Sequence, residues 1–302
     1  MSDIFEPKPE DRSVPENEPN PELISPTAKA VAYFRSFSDI PYSQEISDAT
    51  NSGEMFNELS DADRKAVISF LAPPSEARYK MINAMIEKSG CKNVLEIASG
   101  VSPRGLVMTE DPLVNYVESD LPGILAEKQR IIEGILSKES QARANLHFAT
   151  VNALDSEQMS FVAKSFDGPV AICNEGLMSY FNRQEKVIFA KNIRRILEEK
   201  GGVWISADFG SGSGNIGALT GSPAVKKFLD NMFNATGRDF ASCRFVDQQD
   251  VDNFLEETGF EAEVVSQSLV ADDLASIEKT GADADKIKSI LANRKVYKLS
   301  PK

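Results

Sequence analysis

Residues 93–105 read NVLEIASGVSPRG, and this stretch indicates the fold of the chain. Its first half is a short apolar run, which predicts a buried strand, and its second half is a turn of small residues. The small side chains of Ala98 and Gly100 would let a ligand approach the backbone closely. A dinucleotide-binding turn would carry a third glycine at the start of a helix, where this chain has Pro103 and Arg104. The stretch therefore favours a nucleoside ligand that has no pyrophosphate.

Beyond this stretch, strand-like runs alternate with amphipathic, helix-like runs. Such an alternation predicts an α/β fold with a doubly wound, mostly parallel, Rossmann-like sheet. Ligands of such sheets bind at the carboxyl ends of the strands, so the residues that follow each strand are candidates for a site. The predicted strands are 93–98, 113–120, 144–153, 168–177, 202–209, 261–270 and 294–300.

Three segments of different composition predict the domain organisation. Residues 1–24 combine five prolines with seven acids, and we expect a disordered or loosely packed tail because such a stretch buries too little apolar surface to fold. Residues 25–91 carry capping residues and helical apolar spacing, which predict an N-terminal helical cap. Residues 92–302 are expected to form the α/β domain, with a lid insertion over residues 210–245.

Several predicted helices have marked ends. In the cap, Ser60 and Ser75 are expected to begin two separate helices, and Gly90 is expected to end the second one. In the α/β domain, Asn182 with Glu185 three residues later indicates a capping box at the start of a long helix.

The composition disfavours several classes of protein. The net charge is −13 and the pI is near 4.8, and such an acidic surface disfavours nucleic acid and anionic membranes as partners. The three cysteines form no CxxC pair and there is one histidine, which disfavours a disulfide framework or a zinc site. We expect a cytoplasmic protein, since the sequence has no signal peptide and no membrane-spanning run. His147 is expected to lie in the core.

Polar side chains follow three of the predicted strands, at the edge where a ligand would bind. Asp120 lies about 20 residues after the first turn, where an acid can accept both hydroxyls of a ribose; it could also cap the next helix. Asn152 or Asp155 could meet an adenine amine or cap a loop. Glu175 ends an otherwise apolar strand, and a buried acid needs a partner, which a cationic ligand would supply.

Four motifs together resemble a known family. VLEIASGVSPRG, YVESDLPGILAEKQRI, VNALD and NEGLMSYF are similar to motifs of the leucine carboxyl methyltransferases. These are class I S-adenosylmethionine-dependent methyltransferases, and the family includes polyketide O-methyltransferases. The resemblance covers residues 25–210. Two positions depart from the family pattern: Ala98 replaces the usual first glycine, which should crowd the cofactor slightly, and Asn152 replaces the usual aspartate.

The resemblance implies the cofactor S-adenosyl-L-methionine, with S-adenosylhomocysteine as product, and a role for each matched residue. Tyr180 and Arg35 would lie in the acceptor pocket and are the candidate catalytic residues. Lys29 and Arg104 would hold the cofactor's carboxylate, and Glu175 its sulfonium or amino end. The other implied cofactor-binding residues are Glu96, Ala98 and Gly100 at the first strand end, Asp120 at the ribose, and Asn152 and Ala153 at the adenine.

The function that the resemblance implies is O-methylation of a carboxylate or hydroxyl group of a small molecule. A carboxylate acceptor needs no base, which fits a chain with one histidine. Two alternatives stay open. One is an NAD(P)-dependent oxidoreductase on the same class of sheet, against which the missing GxGxxG motif counts. The other is a non-catalytic nucleoside-binding protein.

Overall fold

The computed structural model describes residues 21–140, 142–210, 222–234 and 243–302. Most of the predicted tail lies outside these ranges. So does much of the predicted lid. The described helices and strands are numbered below in chain order.

A seven-stranded sheet forms the centre of the molecule. Its order is β3-β2-β1-β4-β5-β7-β6; the first five strands of the chain are parallel to one another, and β7 is antiparallel to both of its neighbours. The prediction of a doubly wound, mostly parallel sheet is confirmed. The strands are β1 Asn93–Ile97, β2 Asn115–Asp120, β3 Leu146–Thr150, β4 Val170–Asn174, β5 Gly202–Ser206, β6 Phe260–Ser266 and β7 Lys295–Pro301.

Helices precede the sheet and connect its strands. The first three, α1 to α3, lie in the segment predicted as the cap and are called the cap below, and the others follow the strands. Three short 3₁₀ turns cover Ser52–Phe56, Met178–Tyr180 and Gln267–Asp273. The helices are α1 Pro21–Arg35, α2 Ser43–Ala49, α3 Asp61–Ser89, α4 Arg104–Met108, α5 Pro122–Lys138, α6 Ser156–Ala163, α7 Arg183–Lys200, α8 Pro223–Asn234, α9 Gln248–Thr258, α10 Ala275–Thr280 and α11 Ala284–Ala292.

Apolar cores lie on both faces of the sheet. One core joins the sheet to α6, α7 and α9 around Trp204, and the other joins it to α3 and α5 around Tyr116. β4 is buried along its whole length, as a central parallel strand with helices on both faces should be. A third core packs α1 and α3 of the cap against α8 and α11. The cap therefore shares its core with C-terminal helices.

The cap contains one long helix where the sequence predicts two. Ser60 caps α3, since its Oγ accepts a hydrogen bond from the Asp63 N–H at 3.1 Å, and Gly90 ends it in a left-handed conformation. Both ends are therefore as predicted. Ser75 is wrong as a helix start, because it lies buried in the middle of α3. The helix continues through Pro73–Pro74, although proline cannot donate a backbone hydrogen bond. Burial of the middle of α3, against the rest of the cap on one side and the sheet on the other, offsets the loss of these hydrogen bonds.

The capping box predicted at the start of α7 is confirmed. Asn182 Oδ1 accepts from the Glu185 N–H at 3.0 Å, and Glu185 Oε2 accepts from the Asn182 N–H at 2.8 Å. We expect the Asn182→Ala variant to lose about 1 kcal/mol of unfolding free energy, since it leaves a helical N–H without its partner. Urea unfolding measures this loss. The control is Gln184→Ala on the same exposed turn, which should change stability by less than about 0.5 kcal/mol; equal losses in both variants would contradict the capping role.

Within the described parts of the chain, no helix is both long enough and apolar enough to cross a membrane.

Candidate functional site

A cavity of about 700 Å³ lies between the cap and the carboxyl ends of the strands. Loops that follow β1, β2, β3 and β4 form one wall, and α1, α3 and α8 form much of the other. This is the edge of the sheet to which the strand-end rule pointed. Of the predicted site residues, the cavity is lined by Arg35, Glu96, Ala98, Gly100, Asp120, Asn152, Ala153, Glu175 and Tyr180.

The turn after β1 has an unusual backbone. Ala98 and Gly100 both adopt left-handed conformations, with φ of 54° and 51°. Glycine adopts this conformation freely, whereas an alanine side chain costs about 1 kcal/mol there. The turn is held by Asp120, whose Oδ2 accepts from the Gly100 N–H at 2.7 Å. After β1, the backbone of Ala98 and Gly100 therefore faces the cavity with little side chain to cover it.

Asp120 faces the cavity from the end of β2 with 6% of its surface exposed. Its Oδ1 accepts from the Leu121 N–H and its Oδ2 from the Gly100 N–H, both at 2.7 Å. Burial raises the pKa of this carboxyl. Each carboxylate oxygen has a second lone pair, so Asp120 can still accept hydrogen bonds from a ligand's hydroxyls.

Asn152 and Ala153 line the cavity beyond β3. Asn152 Oδ1 accepts from the Leu154 N–H at 3.0 Å, so its amide oxygen also stabilises the loop. Asp155 is not part of the wall; it caps α6 by accepting from the Glu157 and Gln158 N–H groups. Of the two predicted adenine-side candidates, only Asn152 therefore lies at the cavity.

Glu175 is the centre of a buried charge cluster. Arg78 Nε lies 2.6 Å from its Oε1, Arg104 Nη2 lies 2.9 Å from its Oε2, and Arg35 also pairs with Oε1. Burial alone would raise the pKa of Glu175, but the three guanidinium charges outweigh it and hold the pKa well below its usual range. The expectation that a cationic ligand supplies the partner of Glu175 is thus corrected, since three arginines from α1, α3 and α4 do so.

Arg104, predicted to contact the cofactor's carboxylate, does not line the cavity. It is fully buried, pairs with Glu96 as well as Glu175, and donates from Nε to Asn83 Oδ1 at 2.7 Å. Its guanidinium also lies over the Tyr79 ring, 4.8 Å from the centroid. Arg104 therefore orients two carboxylates that line the cavity.

Lys29, also predicted to hold the cofactor's carboxylate, lies off the cavity wall. Its Nζ is 3.8 Å from Glu127 Oε1, and its side chain is 36% exposed. The helical spacing explains this position, because Ala28, Val31 and Arg35 form the face of α1 that lines the cavity. Lys29 lies on a neighbouring face, toward α5.

The two candidate catalytic residues line the cavity but already have partners. Tyr180 Oη shares a 2.6 Å hydrogen bond with Thr27 Oγ1, which links the loop after β4 to α1. Burial raises the pKa of Tyr180, so this phenol is a poor base near neutral pH. Arg35, paired with Glu175, is buried, and its Nε has no partner among the described residues.

Sequence reasoning missed several residues of the wall. Arg78, Arg244 and Arg294 all line the cavity. They lie far apart in the chain, and no motif marks them. Asp208, at the carboxyl end of β5, does not line the cavity but holds the loop after β4. It accepts hydrogen bonds from the N–H groups of residues 176–178 and, at 2.8 Å, from the side-chain amide of Asn174. The strand-end rule marks this position, since Asp208 follows a buried strand.

In the described part of the chain, no group of three or more histidine, cysteine, aspartate or glutamate side chains could hold a metal ion. His147 lies half-buried on the edge strand β3, so it is less enclosed than predicted, and it does not line the cavity.

The strand order, with an antiparallel β7 inserted between β5 and β6, defines the Rossmann-like fold of class I methyltransferases. No family model matches the sequence, and no curated protein matches it either. Solved structures of similar fold include an O-methyltransferase family protein from Burkholderia thailandensis, with 13% identity, 85% of this chain and 71% of that chain covered, and a TM-score of 0.47. The pyocyanin biosynthetic protein PhzM is also similar, with 10% identity and a TM-score of 0.46. The comparison covers 82% of this chain and 61% of PhzM.

A third similar structure is phosphoethanolamine N-methyltransferase 2 of Haemonchus contortus, in complex with S-adenosyl-L-methionine, at 14% identity and a TM-score of 0.45. The comparison covers 89% of this chain and 60% of that enzyme. The chain thus spans less than two thirds of both this enzyme and PhzM. At these identities the likeness concerns the fold alone.

Proposed function

We propose that the chain is an S-adenosyl-L-methionine-dependent O-methyltransferase that acts on a small molecule. The observation that carries this proposal is Asp120, a buried carboxylate at the end of β2, facing the cavity beside the left-handed turn after β1. An acid in this place can accept both hydroxyls of a ribose. The exposed backbone of Ala98 and Gly100 leaves room for the nucleoside's amino-acid chain.

The start of α4 argues against a dinucleotide. In dinucleotide folds the N–H groups at this helix start bind a pyrophosphate. Here the Gly105 N–H donates to Glu118 Oε1 at 3.1 Å, and the Arg104 N–H donates to Ser102 Oγ at 3.3 Å. A carboxylate of the protein therefore takes the position that a pyrophosphate needs, which disfavours the oxidoreductase alternative.

The residues present fit the cofactor. Asp120 would hold the ribose, Asn152 and Ala153 would lie at the adenine, and Arg78, whose Nη groups donate to no described residue, could meet the cofactor's carboxylate. S-adenosyl-L-methionine supplies an already activated methyl group. The chain's part is then to position the acceptor and exclude water.

The described wall offers little for removing a proton from an acceptor. It contains no histidine, and burial raises the pKa of Tyr180. Of its carboxylates, Glu96 and Glu175 pair with arginines, Glu185 accepts from the Asn182 N–H, and Asp120 would hold the ribose. A carboxylate is already a nucleophile at neutral pH, whereas an alcohol or phenol benefits from a base. This favours a carboxylate as the methylated group.

A transfer assay tests the proposal. The protein is incubated with methyl-labelled S-adenosyl-L-methionine and a panel of carboxylic acids, with the matching alcohols as controls. We expect label in base-labile methyl esters of some acids, together with S-adenosylhomocysteine. Cofactor binding without transfer to any acid or alcohol would instead support the non-catalytic nucleoside-binding alternative, which the left-handed Ala98 keeps open.

A further inference from the structure

The middle of α3 carries a serine hydroxyl without a partner at the cavity wall. Ser75 lines the cavity with 6% of its surface exposed, and its Oγ has no hydrogen-bond partner among the described residues. A serine within a helix often donates to a carbonyl three or four residues earlier. Ser69 and Ser89 of the same helix do so, to Ala66 O at 3.3 Å and to Ile86 O at 2.6 Å. The Ser75 hydroxyl is therefore left to bind a group outside its own helix.

Two other residues of the described cavity wall have a buried polar atom without a partner, and each belongs to another part of the site. Ser99, through its Oγ, is one of them, and it lies in the turn after β1, where the cofactor would bind. Arg35, through its Nε, is the other, and its guanidinium already pairs with Glu175. Ser75 differs from both because its neighbours on the cavity wall are apolar.

Leu71 of α3 and Leu229 and Met232 of α8 line the cavity and pack with the third core, and they are called the apolar end below. The helix α3 packs on β4, β5 and β7, on the half of the sheet away from β2 and β3. Asp120 and Asn152, which would hold the nucleoside, lie at the ends of β2 and β3. The apolar end is therefore separate from the nucleoside end of the cavity, and it suits the acceptor.

The order of side chains along α3 suggests how an acceptor would lie. Arg78, Ser75 and Leu71 share one helical face at spacings of three and four residues, and all three line the cavity. These seven residues of helix span about 10 Å. With Arg78 at the cofactor's carboxylate, as proposed above, Ser75 lies one turn closer to the apolar end and Leu71 lies within it. An acceptor along this face would place a polar group at Ser75 and an apolar body at Leu71.

We propose that Ser75 donates a hydrogen bond to the carboxylate that is methylated, and that the acceptor is a carboxylic acid whose apolar body packs at the apolar end. This inference rests on the proposed function. A carboxylate oxygen bonds to the methyl carbon as the bond from that carbon to sulfur breaks, with both electrons left on sulfur, so no proton moves. The reaction thus removes the carboxylate's charge. A neutral hydroxyl can bond to the carboxylate and to the ester carbonyl alike, whereas a positively charged partner would favour the substrate over the transition state.

Binding of simple acids to the full chain tests this inference without knowledge of the acceptor. Hexanoate, neutral hexanamide and acetate are titrated calorimetrically, with and without S-adenosylhomocysteine. Ser75→Ala removes the hydroxyl and should keep or raise the melting temperature, because that hydroxyl is buried without a partner. Ser69→Ala is the matched control, since Ser69 lies on the same helix, off the cavity wall, with its hydroxyl bonded to Ala66 O. Leu71→Ala tests the apolar end.

We expect hexanoate to bind the wild type more tightly than hexanamide or acetate does. Ser75→Ala should weaken hexanoate binding about tenfold and leave the affinity for S-adenosylhomocysteine within about twofold. Leu71→Ala should weaken hexanoate and hexanamide by similar factors, and Ser69→Ala should change neither.

The inference is overturned if hexanoate does not bind, if Ser75→Ala binds it as the wild type does, or if Ser75→Ala weakens S-adenosylhomocysteine by the same factor. Binding of S-adenosylhomocysteine without hexanoate would leave the proposed function standing. If hexanoate binding depends on Ser75 but S-adenosylhomocysteine never binds, the acid site stands and the proposed function fails.

Discussion

Replacing Glu175 with glutamine is expected to lower the free energy of unfolding by about 3–5 kcal/mol. The glutamine has nearly the same shape but no charge, so Arg35, Arg78 and Arg104 would lose their shared counter-ion. Arg35 and Arg104 are almost fully buried, so water cannot replace it. Because the cluster joins α1, α3 and α4 to the end of β4, its loss should loosen the cap over the cavity.

Chemical unfolding measures this effect, and an exposed ion pair provides the control. Glu198→Gln breaks the contact between Arg194 and Glu198 on the surface of α7 and should cost less than about 1 kcal/mol. A loss in Glu175→Gln no larger than in this control would contradict a structural role for the charge cluster.

The Glu175 variant should also change the response to acid. In the folded state the arginines hold the pKa of Glu175 well below its ordinary value of 4.5, despite burial. A carboxyl with a depressed folded-state pKa contributes stability that is complete above its unfolded-state value and is lost as the pH falls toward the folded-state value. The difference in the free energy of unfolding between wild type and Glu175→Gln should therefore become smaller as the pH falls below 4.5. A difference that stays constant below pH 4.5 would show that Glu175 does not act through its charge.

Replacing Asp120 with alanine is expected to weaken S-adenosylhomocysteine binding about 100-fold. Two hydrogen bonds from ribose hydroxyls to a carboxylate, each worth about 1.5 kcal/mol, together account for a loss of that size. The variant also removes the acceptor of the Gly100 N–H, which loosens the turn against which the ligand would pack. Asp120→Asn, which keeps one acceptor oxygen, should lose about tenfold.

Asp155→Ala is the matched control for the Asp120 variants. It removes an acid at the neighbouring strand end that caps α6 but does not line the cavity. It should cost about 1 kcal/mol of stability and leave the affinity within about twofold. If Asp120→Ala retained full affinity, the site would have to lie elsewhere in the cavity.

The sheet could be predicted from the sequence because local apolar runs decide it. Each predicted strand contains or overlaps an observed one, and the strand ends pointed to the edge of the sheet at which the cavity lies. The cap was harder to predict. Proline and serine at residues 73–75 look like a helix boundary, but packing of α3 on two sides overrides this local preference.

The charged part of the site could not be predicted from local pattern. Lys29 and Arg104 lie off the cavity wall because the direction of a long side chain depends on which acids lie nearby in space. These acids are Glu127 for Lys29, and Glu96 and Glu175 for Arg104. Arg244 and Arg294 reach the cavity through long-range packing of loops. No sequence spacing relates them to each other or to the strand ends.

Calorimetric titration of the wild-type chain with S-adenosylhomocysteine and, separately, with NAD tests the central claim most directly. The account expects S-adenosylhomocysteine to bind at one site per chain, with an affinity that falls in Asp120→Ala, and NAD not to bind, because Glu118 occupies the start of α4. Binding of NAD without binding of S-adenosylhomocysteine would contradict the account and favour an oxidoreductase.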